Sequence, residues 1–200
     1  NQDTTQIGEK LKSIYQRIRT YPEVEMASRT NGNTPFANNQ SNRNVKYKNV
    51  NIQGDIFGTD EHYAKTLGIE IAEGRWYTRA DKGAKHTPAV INQVAKEKMF
   101  GSDNPLGKII QLEGDERWKI VGIVENFKQR GNYQANTPAF FNLSDWDMGS
   151  VLIKVKPGVD ANFEAKLMRE IGAMQPEWVF ELSYLKTLRK SMNQQTSIPS

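Results

Sequence analysis

Ile7, Leu11, Ile14 and Ile18 recur at intervals of four, three and four residues, which places one apolar stripe on a helix from about Thr4 to Thr20. Pro22 ends it, because proline lacks the N–H that the helical ladder needs. Val24 and Met26 alternate with polar neighbours as a short strand. Asn31 to Asn44, rich in Asn, Ser and Gln, reads as a long exposed loop. From Val45 to Phe57 the apolar positions Val45, Tyr47, Val50, Ile52 and Ile56 are strand-like, and the slip between Tyr47 and Val50 marks a bend or bulge. Asp60 to Leu67 reads as a small helix capped by Thr59 or Asp60 and stopped by Gly68.

The second half has the same mixture. Ala89 to Ile91 is a short buried strand, Asn92 caps a helix that runs to about Phe100, and Asn104-Pro105-Leu106-Gly107 is a turn. Lys108 to Leu112 and Arg117 to Val124 form a hairpin across Gly114-Asp115. Pro138 to Leu143 and Val151 to Val155 are further strands. Phe163, Leu167, Ile171 and Met174 line one face of a helix, Val179 to Leu182 is a last strand, and Tyr184, Leu185, Leu188 and Met192 stripe a terminal helix. Helix and strand at each end around a mostly β middle predict an α+β fold, a discontinuous layer interrupted by an insertion from about Gln53 to Asn142.

Composition narrows the function classes. The chain has 27 basic and 23 acidic residues, a net charge of +4, with no basic run interleaved with aromatics, so nucleic acid is not an expected partner. The absence of cysteine removes thiolate nucleophiles and cysteine metal sites. His62 and His86 have no carboxylate or histidine at helical ligand spacing, so no metal site is expected. No Gly-x-Ser-x-Gly, phosphate loop or dinucleotide fingerprint occurs, and the glycines of Gly54-Asp55-Ile56-Phe57-Gly58 read as strand-end geometry. Glu61, Glu70, Glu73 and Asp81 could supply a carboxylate pair and Trp76, Trp118, Trp146 and Trp178 a sugar groove, but solvated carboxylates and packed indoles are the commoner roles. No catalytic, cofactor-binding or metal-binding residue is assigned.

Four segments together resemble the MacB-like periplasmic core domain of FtsX-like permeases. They are Tyr63-Ala64-Lys65-Thr66-Leu67-Gly68-Ile69 with Gly74-Arg75, Ala89-Val90-Ile91-Asn92, Asn104-Pro105-Leu106-Gly107-Lys108, and Ile120-Val121-Gly122-Ile123-Val124 with Asn126-Phe127. The resemblance implies a porter-like α/β layer from residues 1–52 and 143–200 with terminal stalk helices, and an inserted, mainly β, sabre-like subdomain over 53–142. It further implies an inner-membrane protein with this domain on the periplasmic side, and no catalysis within it. A cognate ABC ATPase would act through the membrane region beside a second permease copy or half, with a periplasmic adaptor or outer-membrane channel as a further candidate partner. Movement driven by ATP would pass along the stalks to serve export or lipoprotein handling. Asn1 and Ser200 would then emerge on one side, with the inserted lobe pointing away. A free periplasmic module binding a small ligand or peptide is the alternative, and a hydrolase the third reading.

Overall fold

The computed structural model describes residues 2–36, 41–126, 135–144 and 149–196. Asn1 and Ser200, on which the expectation about the chain ends turns, lie outside the described residues, as do Trp146, Phe127 and the middle of the Asn31 to Asn44 loop. The chain opens with helix α1 (Gln2–Ile18), strands β1 (Val24–Gly32), β2 (Asn42–Tyr47) and β3 (Val50–Thr59), short helix α2 (Tyr63–Leu67) and strand β4 (Ile71–Gly74). Next come β5 (Thr87–Asn92), α3 (Gln93–Phe100), β6 (Ile109–Leu112), β7 (Arg117–Val124) and β8 (Ala139–Leu143). β9 (Ser150–Val155), α4 (Ala161–Met174) and α5 (Leu185–Thr196) complete it.

Six strands close on themselves: β2 pairs with β6, β6 with β7, β7 with β5, β5 with β8, β8 with β3, and β3 with β2. The β3–β8 and β5–β7 pairings are parallel and the other four antiparallel. Inside this ring Val45, Ile91, Ile110, Trp118, Ile120 and Phe140 pack with Ala95, Met99 and Phe100 of α3. The ring begins at Asn42, upstream of the expected boundary at Gln53. Beyond the stretch paired with β2, the same edge of β3 takes β1 instead: Thr59, Gly58 and Phe57, still paired with β8 on the other edge, pair with Thr30, Asn31 and Gly32 of β1, and β1 in turn carries β9. One face of that extension packs on α1 and α4 through Ile14, Ile18, Ala27, Phe163, Leu167 and Ile171. The other face, with Phe57, Tyr63, Val90, Phe141 and Leu152, is covered by α2, the Trp76-Tyr77 segment and Leu185 of α5.

Several expectations need correction. The slip between Tyr47 and Val50 is a hairpin turn, since those two residues are register partners and Lys48 adopts a φ of 51° that reverses the chain. Strand pairing also takes both ends of the polar stretch, because Asn31 and Asn42 need only their backbones to join β3, and the Asn33 amide joins the returning chain by donating to the Ser41 carbonyl at 2.6 Å. Gly54 sits inside β3 rather than at its end, where a Cβ would lie 2.3 Å from the Phe140 ring, while Gly58 is the strand's next-to-last residue. β4, which the apolar pattern did not announce, lies along β7 where Gly122 has no side chain; a Cβ there would meet the Arg75 carbonyl oxygen at 2.1 Å. Val179 to Leu182 is not a strand: the segment joins no sheet, and Val179 is 98% exposed.

Candidate functional site

The residues weighed for chemistry do not converge. Among the described residues no three histidine, aspartate or glutamate side chains are grouped to hold a metal ion. His62 Nε2 lies 3.8 Å from its neighbour Glu61, while Glu73 pairs with Lys96. Asp81 accepts both guanidinium nitrogens of Arg75, at 2.7 and 2.8 Å, which holds its carboxyl down at about 2. Trp118 is buried and donates to Glu116 at 2.7 Å, Trp76 stacks on Tyr63, and Trp178 lies under Lys10. The three described indoles therefore sit in different environments and line no common groove.

The structure builds a polar centre around Asp60 instead. This carboxylate is 2% exposed and lies just beyond β3. Oδ1 accepts from Ser28 Oγ at 2.7 Å and from the His62 backbone N–H at 3.0 Å. Oδ2 accepts from the Arg29 backbone N–H at 2.8 Å. The Tyr15 hydroxyl lies between Oδ2, at 3.1 Å, and the Ala27 carbonyl oxygen, at 3.0 Å, so one proton serves two acceptors. Burial, and then the Asp60 charge, push the Tyr15 hydroxyl well above its ordinary titration range and keep it a donor. The Arg29 guanidinium lies 5.0 Å from the Tyr15 ring centre and 4.0 Å from Oδ2.

One carboxylate thus ties together α1, two positions of β1, the end of β3 and the start of α2. A buried charge is tolerated only when its acceptor sites are filled, so these donors hold one another in place. The next shell continues the connection, with Trp76 Nε1 donating to the Asp60 carbonyl at 3.4 Å and the Thr59 and Tyr77 hydroxyls in a short buried hydrogen bond. α1 is fastened to α4 as well: Glu170 accepts from Tyr21 at 2.6 Å and from Arg17 at 2.5 Å, and these two donors, Tyr21 first, hold its carboxyl below the usual range.

None of this was visible in the sequence, where Asp60 reads only as a helix cap. Its helix has His62 at the cap position with no side-chain bond, while Asp60 reaches Tyr15 across 45 residues of chain. By contrast Asn92 caps α3 as expected, accepting from the Ala95 N–H at 3.0 Å, and it also accepts from Ala139 N–H and so pins β8 to β5.

A fold with this ring and extension matches the family model described as the MacB-like periplasmic core domain over residues 3–170. The chain belongs to that family. Members with similar sequences include the pyoverdine export ATP-binding/permease protein PvdT of Pseudomonas aeruginosa, 29% identical over 107 residues, or 54% of this chain and 15% of that protein. Another is the macrolide export ATP-binding/permease protein MacB of Hahella chejuensis, 30% identical over 43% of this chain and 13% of that protein. The matched stretch therefore spans only about a seventh of the length of such relatives. The periplasmic region of MacB from Actinobacillus actinomycetemcomitans superposes with a TM-score of 0.68 at 16% identity, covering 91% of this chain and 82% of that one. The extracellular domain of the transporter YknZ from Gram-positive bacteria gives 0.60 at 14% identity, over 81% and 82% of the two chains. The family model and the two solved structures thus agree on the fold of a MacB-like periplasmic core domain. None of its described helices is long and apolar enough to cross a membrane.

Proposed function

We propose that this domain is a non-catalytic transmission element that receives ATP-driven movement through its terminal helices and delivers it to the periplasmic side for export. The observation that carries the reading is the Asp60 centre. Movement of α1 pulls on Tyr15, and Tyr15 shares one buried carboxylate with β1, the end of β3 and α2. Breaking that contact inside the protein exposes no group to water that could replace the lost partner, so α1 and the sheet move as one body.

In this reading residues 1–52 and 143–200 form a porter-like layer and 53–142 an inserted, sabre-like lobe that closes on β2 from the layer's side of the boundary. The partners are a cognate ABC ATPase across the membrane region and a second permease copy or half, with an adaptor or outer-membrane channel beyond. The relatives' roles in pyoverdine and macrolide export make a small-molecule cargo the class to test first. The test is a transporter carrying Leu11→Pro in α1. Transport should be lost while ATP binding persists, since proline breaks the helix but leaves the nucleotide site untouched. Normal transport by that variant would contradict the reading, as would hydrolase turnover by this domain that one substitution abolishes.

A further inference from the structure

Residues 178–184 carry the alternation of a β-strand but join no sheet. Trp178 and Phe180 turn onto the core under α1 and α4, with their ring centres 6.1 Å apart, and Trp178 lies 5.8 Å from Lys10 Nζ. Val179, between them, is 98% exposed, and Leu182 and Tyr184 are 38% and 54% exposed. A run of this kind loses apolar burial and backbone pairing by staying out of a sheet.

The sheet has a place for it. β9 stands at the end of the strand order and pairs only with β1, so its outer edge carries no strand among the described residues. Val155 at the end of that edge is 41% exposed. From β9 the chain enters α4 and returns antiparallel to α1: Phe163 meets Tyr21, Glu170 meets Arg17, and beyond α4 Trp178 meets Lys10. It therefore reaches Trp178 beside the end of the sheet where β9 begins. A strand starting there would run parallel to β9, and β9, α4 and residues 178–184 would form a βαβ unit that lacks only its last ladder.

We propose that residues 178–184 are a reserve strand that pairs with the outer edge of β9 in one state of the transport cycle and is released in the other. The proposal rests on the reading that α5 carries movement, because α5 begins directly after this segment at Leu185. Pairing keeps Trp178 and Phe180 on the α1 and α4 face, beside Val151 and Ile153, and brings the exposed Leu182 to it. It moves Val179 to the opposite face, beside Leu152, and gives partners to the open N–H and C=O groups of β9. A pull on α5 decides between the two arrangements, which makes the segment a two-state element of the kind transmission requires.

Hydrogen–deuterium exchange on the intact transporter, nucleotide-free and ATP-trapped, tests this. Amides of 151–155 and 179–183 should slow together by about tenfold or more in one of the two states. Equal exchange at both segments in both states overturns the proposal. The double variant Val179→Pro/Leu182→Pro removes N–H groups of opposite parity, so one faces β9 in any register, and it should lose the slowing and the transport. Val179→Thr/Leu182→Thr should retain both. If the α1 proline variant stops transport while exchange at the two segments never differs, the reserve strand is wrong and the transmission reading stands. If exchange switches while the α1 variant transports normally, the transmission reading fails instead.

Discussion

Asp60 is buried and accepts from Tyr15, Ser28, Arg29 and His62, so removing its carboxylate leaves the Arg29 and His62 backbone N–H groups in want of an acceptor, while Tyr15 keeps the Ala27 carbonyl and Ser28 only a long contact to the Arg29 carbonyl. Asp60→Ala should cost about 3 kcal/mol or more in urea denaturation. Tyr15→Phe, which leaves the other three donors in place, should cost about 1 kcal/mol. Tyr63 is the contrasting case: its side chain is fully buried and its hydroxyl has no partner among the described residues, so Tyr63→Phe should leave stability unchanged or raise it by up to about 1 kcal/mol. A loss of more than that in Tyr63→Phe would show that the hydroxyl has a partner. Residues of this kind are hard to find in a sequence because their partners are remote. Asn92 could be recognised because a cap bonds within its own turn, whereas the Asp60 partners depend on where β1 and α1 come to lie.

At the level of elements, the helices were legible because their apolar stripes have a fixed period and a stop: Ile14 and Ile18 are buried on α1, and Phe163, Leu167 and Ile171 on α4, as their spacing requires. Strands were less so. β4 has two exposed residues at its start, so no alternation marks it, and Val179 to Leu182 has the alternation but no ladder. The α1–α4 contact and the Arg75–Asp81 pair add an acid dependence. Both carboxyls, Glu170 and Asp81, titrate lower in the folded chain than unfolded, so their contribution is present above the unfolded values and lost as pH falls through the folded ones. Thermal stability should therefore decline from about pH 4 toward about pH 2, and Asp81→Asn together with Glu170→Gln should flatten that part of the profile. An unchanged slope in the double variant would show that other carboxylates carry the acid sensitivity.

For the whole molecule, the consequence of the topology is that β3 belongs to both the closed ring and the β1–β9 extension, so the ring is joined to α1 by strand pairing and by the Asp60 centre together. The α+β class followed from the order of elements, but closure of the ring did not, since it depends on β2 meeting β6 across a long stretch of chain. The absence of cysteine allows spin labels to be placed singly and without background from this domain. Labels at Lys119, exposed on the ring, and at Glu9, exposed on α1, give the most direct measurement: pulsed-EPR distances in the intact transporter, which on the proposed function holds two copies of this domain, with and without trapped ATP. The account predicts that the Lys119 to Lys119 distance between copies changes with nucleotide while the Lys119 to Glu9 distance within one copy does not. A fixed distance between copies, or a changing one within the domain, would contradict it.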